Sequence, residues 1–234
     1  DAHSVNDVTI DAGRNTLQLQ SSHTIGSPSG IYAGNKKNVT VTAGKLNIIT
    51  SGMTGGNSLT NGIWLDAPAN GASSITIHAP TTNIAMTGGY GGNGIAIQKT
   101  DRWGEASDAA AGTNKITLDG NLNIKGADSA TWGIGLNPEN VYSRFNNAGI
   151  LTSVKNSEVE VKGLANMDVY GNGITVNAAG SKVSIGGGTI HVPSGRNYGY
   201  YTLGAYQGTI NVNTGRAGTA PGTQKVQLNG DVFA

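Results

Sequence analysis

The stretch GIWLDAPANGASSITIHAPTTNIAMTGGYGGN at residues 62–93 carries three short pieces in which apolar side chains alternate with others: Ile63/Leu65, Ile75/Ile77 and Ile84/Met86. Such period-two alternation marks half-buried strands, and the Gly, Pro, Asn and Ser residues between them mark corners. The preceding stretch at residues 30–61, GIYAGNKKNVTVTAGKLNIITSGMTGGNSLTN, has the same 32 residues and the same three pieces, Ile31/Ala33, Val39/Val41 and Leu46/Ile48. Two equal periods in succession predict a repeat architecture in which each unit stacks on the next.

Working outward, Val8/Ile10 and Leu17/Leu19 read as the end of an incomplete repeat before Gly30. After residue 93, repeats start with GIAI at Gly94, GIGL at Gly133, GITV at Gly173 and GYYTL at Gly199, the last with Tyr200 in place of Ile. The third and fourth repeats carry insertions, at 98–115 and 137–149. The variation in length thus falls in loops, while the strand pieces keep their size. No segment shows the period of 3.6 that a helical repeat needs. Asn-Gly pairs at Asn61-Gly62, Asn93-Gly94 and Asn172-Gly173 are hairpin signals in isolation, but their fixed place before each start favours corners. Residues 1–234 are therefore read as one all-β domain, a single-stranded right-handed parallel β-helix of about six turns with three short strands per turn. Its inward columns would include Ile31, Ile63, Ile95, Ile134, Ile174 and Tyr200. Asp1 in place of Met, and a closing VQLNGDVFA that still reads as strand and turn, lead to the expectation that more chain lies beyond both ends.

Composition narrows the function classes. The chain has 37 Gly, 12% charged residues, no Cys and a net charge of +1. That charge gathers no nucleic acid, and no basic run with interleaved aromatics is present. Without Cys there is no disulfide framework and no thiolate metal site. No apolar run approaches the ~20 residues of a membrane span, so direct membrane insertion is not expected.

The GI-x-φ starts, the N-G corners and the closing VQLNGDVFA make the sequence similar, over nearly its whole length, to passenger domains of bacterial autotransporters, the β-helical regions of type V secretion. The resemblance lies in repeat texture and includes no catalytic motif. It implies an extracellular or cell-surface location and a role in adhesion or self-association, with host or bacterial surface glycans or proteins as partners. The membrane barrel of that family has no counterpart in these residues.

A search for chemistry supports a non-enzymatic reading. GYGGNG at residues 89–94 fits G-x-G-x-x-G, but a strand follows where a dinucleotide site needs a helix. His3, His23, His78 and His191 fall on separate pieces, with no partners for a triad or a metal. The rival is a β-helical polysaccharide lyase, which needs acidic or calcium groups with a Lys or Arg base, or a glycoside hydrolase, which needs paired acids on one face. The outward columns, read as Thr40, Thr76, Thr117, Glu160, Ser184, Asn211 and as Asn47, Ala85, Asn123, Asp168, His191, Gln227, hold no such pair. No cofactor and no metal are expected. The two insertions, read as leaving the same corner of adjacent turns, gather Arg102, Trp103, Glu105, Glu139, Tyr142, Arg144 and Phe145. Trp, Tyr and Arg are the residue types that contribute most at interfaces, so these seven are the candidate ligand-binding residues. Packing of Trp103 and Phe145 onto the small outward Ala96 and Gly135 is the structural alternative. Tyr32, Trp64 and Tyr201 stand next in line as binding aromatics.

Overall fold

Alternating Val, Ile and Leu residues divide the chain into strands too short to be stable alone, and each finds its partner in the corresponding piece of the next repeat. A computed structural model describes residues 7–22, 28–34, 37–51, 59–67, 71–87, 91–99, 107, 113–126, 148–169, 171–192, 201–215 and 225–234. Among them are β1 (Asp7–Asp11), β2 (Thr16–Ser22), β3 (Ser29–Gly34), β4 (Asn38–Thr42), β5 (Lys45–Ser51), β6 (Leu59–Asp66), β7 (Ser74–His78) and β8 (Thr81–Thr87). The chain continues with β9 (Gly91–Gln98), β10 (Lys115–Leu118), β11 (Asn121–Lys125), β12 (Ala148–Thr152), β13 (Glu158–Asp168), β14 (Asn172–Val176) and β15 (Lys182–His191). It ends with β16 (Leu203–Ala205), β17 (Thr209–Asn211), β18 (Val226–Asn229) and β19 (Val232–Phe233). The described residues are all-β and contain no helix.

Every strand pairing among the described residues is parallel. Hairpins at the Asn-Gly pairs are thereby excluded, since a hairpin joins antiparallel strands. A first ladder, β3-β6-β9-β12-β14-β16-β19, forms a seven-stranded sheet. A second ladder runs β1-β4-β7-β10-β13, and a third runs β2-β5-β8-β11-β13. The long strands β13 and β15 pass through both, joining them into one twelve-stranded sheet. The register of β13 on β15 shifts between Val161 and Leu164, where the strand crosses from one ladder to the other.

Inward side chains line up across strands and form one core. On the first ladder the buried column reads Ile31, Ile63, Ile95, Ile150, Ile174, Leu203, and Val232 beside Leu203 on the last strand is exposed. This corrects the sequence reading at two places. Ile150, not Ile134, lies beside Ile95, and Leu203, not Tyr200, lies beside Ile174; Ile134 and Tyr200 are outside the described residues. The reason is degeneracy of the signal, because AGILT imitates the same Gly-Ile start as GIGL. Two consequences follow. Ala148 and Gly149, counted in the 137–149 insertion, belong to β12, as Gln98 belongs to β9 and Lys115 to β10. The residues between β11 and β12 precede a first-ladder strand, whereas those between β9 and β10 follow one. The insertions therefore do not leave the same corner.

The Gly before each inward Ile has a steric cause. A Cβ on Gly62 would sit 2.4 Å from Ile84 Cγ2 and 2.6 Å from the Gly94 carbonyl oxygen. On Gly94 it would meet Ile124 Cδ1 at 2.5 Å and the Gly149 oxygen at 2.6 Å. At these glycines the chain enters the first-ladder strand so close to the third-ladder core residue and to the next strand's backbone that no side chain fits. Beside these glycines runs a buried amide ladder. Asn93 donates its backbone N–H and its side-chain amide to Asn61 Oδ1, and Asn93 Oδ1 accepts the N–H of Ala148. Asn172 Oδ1 likewise accepts the N–H of Tyr201. Buried backbone donors at a corner need such partners.

Candidate functional site

Arg102, Trp103, Glu105, Glu139, Tyr142, Arg144 and Phe145 lie outside the described residues. Between residues 99 and 113 of the first insertion, Ser107 is described. Ser107 donates its N–H to the Ser153 carbonyl at 2.8 Å and accepts the N–H of Lys155 at 2.9 Å, which ties the middle of that insertion to the segment after β12.

The outer face of the first ladder is largely closed. Its outward row runs Tyr32, Trp64, Ala96, Leu151, Thr175, Gly204, so Leu151 stands where Gly135 was expected. Ala96, Leu151 and Thr175 are fully buried, and Trp64 is 7% exposed. Trp64 is thus not an open binding aromatic. Its Nε1–H donates to the Gln98 carbonyl, and its ring meets Tyr32 edge-on at 5.3 Å. Tyr32 is exposed and donates its hydroxyl to Asp66 Oδ2 at 3.0 Å. Partial burial, together with the neighbouring Asp66 carboxylate, pushes the Tyr32 phenol up to about 12. Tyr201 stacks obliquely on Phe233 at 5.2 Å, and Tyr206 on the same ring at 4.8 Å.

On the second ladder the outward column runs Thr40, Thr76, Thr117, Glu160, Ser184, Asn211, in agreement with the sequence reading. What the column hid is Glu158, two residues before Glu160 and on the same face of β13. Lys115 Nζ stands 3.4 Å from Glu158 and 3.1 Å from Glu160, and Lys182 Nζ is 4.0 Å from Glu158. A search along each strand, as well as across strands, would have found this pair. Burial lowers the Lys115 pKa, but the hydrogen bonds and charges of Glu160 and Glu158 outweigh it and hold the group above its usual range. Nearby, Asp119 accepts Lys162 Nζ at 2.8 Å and lies 2.5 Å from His78 Nδ1. Burial raises the Asp119 pKa, yet Lys162 and His78 together hold it below the ordinary carboxylate range. His78 and His191 are exposed, each against an aspartate, with His191 Nδ1 3.0 Å from Asp168. Among the described residues no group of three His, Asp or Glu is placed to hold a metal.

The third ladder presents a different surface. Its outward residues form two columns, Gln18, Asn47, Asn83, Asn123, Asn166 and Ile49, Ala85, Lys125, Asp168, His191. The sequence reading had mixed the two, aligning Asn47 with Ala85. A slip of two residues leaves every side chain on its proper face, so hydrophobic alternation cannot detect it. In addition, the buried Thr82 stands beside Leu46 where an apolar residue marks the other repeats. With the register corrected, the amides form a row. Asn83 Nδ2 donates to Asn47 Oδ1 at 2.8 Å, Asn123 Nδ2 to Asn83 Oδ1 at 2.8 Å, and Asn166 Nδ2 to Asn123 Oδ1 at 3.1 Å. The row ends where Asn166 Oδ1 accepts the Thr189 N–H at 3.2 Å. Gln18, Asn47, Asn83 and Asn123, flanked by Ile49, Ala85 and Lys125, line a shallow groove of about 370 Å³. That is within the range of small-ligand sites.

Asn83 and Asn123 each donate one N–H to the amide before them and accept one from the amide after, and Asn47 accepts from Asn83. An amide has two N–H groups and two lone pairs, so each of the three keeps donor and acceptor capacity beyond these bonds. The side chains are held in place before any ligand arrives, so little rotamer entropy is lost on binding. Comparison of the chain with models of known families, with curated proteins and with solved structures found no match.

Proposed function

We propose that the chain is a right-handed parallel β-helix of roughly six three-stranded coils, and that it serves as a non-enzymatic binding element on a bacterial surface, an autotransporter passenger that adheres or self-associates. Support for the coiled path comes from the pairing of each strand with its counterpart one repeat on, in three parallel ladders. The observation that carries the binding reading is the outward amide row of Asn47, Asn83 and Asn123 beside the groove on the third ladder. It is a preorganised, uncharged hydrogen-bonding strip of constant step. The first insertion, with Arg102 and Trp103, and separately the second, with Tyr142, remain further candidate surfaces in this reading.

Particles coated with the chain test the proposal. They should adhere to bacterial or host cells, and the triple variant Asn47→Thr, Asn83→Thr, Asn123→Thr should adhere less, since Thr suits a strand and leaves the fold in place. Particles that adhere to no cell or matrix would overturn the binding reading. Protease treatment of intact cells of the source organism tests the location, and a chain protected until lysis would reject surface display.

A further inference from the structure

We infer that the groove on the third ladder takes a linear, neutral polysaccharide laid along the stacking direction, with about one sugar ring per strand. The inference rests on the binding reading above and names its ligand class. Three observations lead to it. The first is the step. Successive amides lie on neighbouring parallel strands, which are ~4.8 Å apart, and a pyranose linked through equatorial bonds at both ends advances its chain by nearly that distance. An extended peptide advances ~3.3 Å per residue with side chains on alternating sides, and so falls out of step with the row after one or two amides.

The second is chemistry. The donor and acceptor capacity left on each Asn matches hydroxyl groups, which both donate and accept. The apolar Ile49 and Ala85 run alongside and suit the C–H face of a sugar ring. Of the residues lining the groove, Lys125 alone carries a charge, so the site has no array of cations for a phosphate or sulfate chain. The third is extent. Gln18, Asn47, Asn83 and Asn123 span four strands, about 14 Å at that spacing, which sets the number of sugars held at three or four.

The test is calorimetric titration of the intact chain with cello- and chito-oligosaccharides from the disaccharide to the hexasaccharide, with maltose oligomers, whose axial linkage curves the chain, for comparison. Affinity should rise with each sugar up to the tetrasaccharide and then level off, and the maltose series should bind weakly or not at all. The Asn47→Thr, Asn83→Thr, Asn123→Thr variant should bind the tetrasaccharide about tenfold or more weakly. Ile49→Ser should weaken it several-fold, while Thr76→Ala, on the second ladder, should bind as the parent does. Circular dichroism of each variant establishes that it is folded. Binding that does not grow with length, or that survives the triple substitution, overturns the lengthwise placement. If coated particles adhere through the Asn row but no oligosaccharide binds, the polysaccharide class is wrong and the binding face stands. Adhesion that ignores the triple substitution rejects the face itself.

Discussion

Gly94→Ala is the smallest change that probes how the repeats meet. The added methyl would lie 2.5 Å from Ile124 Cδ1, 2.9 Å from Ile124 Cγ2 and 2.6 Å from the Gly149 carbonyl oxygen. The Ile124 side chain is able to rotate away at the cost of packing. The Gly149 carbonyl is backbone of β12, fixed between β9 and β14 by the parallel ladder. Moving it strains pairing on both sides. Overpacking costs about 1–3 kcal/mol, and a weakened ladder hydrogen bond about 1 more. A total near 3 kcal/mol corresponds to a melting temperature lower by roughly 6–12 °C for a chain of this size. Thermal and urea unfolding followed by far-ultraviolet circular dichroism measure it. Adding Ile124→Val, which deletes Cδ1 but keeps Cγ2, should recover only part of the side-chain share and leave the carbonyl clash. Gly94→Ala melting at the parent temperature would refute the close approach of β9, β11 and β12, and with it the assignment of Ile150 as the neighbour of Ile95.

Ile95 is fully buried, so Ile95→Asp places an unpaired charge in the core and should cost several kcal/mol, against about 0.5 kcal/mol for Thr76→Asp on an outward site; equal urea midpoints would reject the inward and outward assignment. Phenolate absorbance should show one tyrosine titrating near 12, and Asp66→Asn should bring it down part of the way toward 10.0, because burial is the larger cause. Since the folded chain holds that proton longer than the unfolded one, stability should fall as pH climbs from 10 toward 12, with Tyr32→Phe removing this limb. Asp119 has a folded pKa below its ordinary 3.8, so its contribution is present above that value and lost as pH falls through the lower folded one. Asp119→Asn should therefore flatten the acid limb of a stability profile by up to about 1 kcal/mol, the usual size for an exposed pair, and an unchanged limb would show the pair to be silent.

The strand class, the first three Gly-Ile starts and the outward Thr column were legible because each depends only on local alternation, which a parallel stack repeats at equal positions. The third-ladder register was not. Asn83 and Ala85 both face outward, and only the pairing of Ile48 with Ile84 says which of them lies beside Asn47. The fourth start failed for a related reason, since GIGL and GILT are equivalent as local signals and the choice is made by which one pairs with both β9 and β14. Glu158 went unnoticed beside Glu160 because columns were compared across repeats and not along the strand. The closed outer face at Ala96, Leu151 and Thr175 had no sequence signature, as small and apolar residues there read equally well as exposed.

The two asparagine ladders make the strongest case that the third-ladder face has a use. Asn93 and Asn172 are buried, and their side-chain oxygens satisfy the backbone N–H groups of Ala148 and Tyr201. Those amides belong to the fold, because an unpaired buried N–H would cost about 1–3 kcal/mol. Asn47, Asn83 and Asn123 have no such duty. Their strands are already paired in parallel register, and among the described residues their side chains bond to one another and to Asn166. Asn is among the residues least suited to a strand, and Thr or Val at the same outward positions would favour the sheet by up to about 1 kcal/mol each. Folding alone therefore favours replacing the row, as the Thr column on the second ladder illustrates. The same substitutions should then raise stability while lowering binding, an opposition expected of residues placed for recognition. A triple Thr variant that is less stable than the parent would remove this argument and return the row to a structural role.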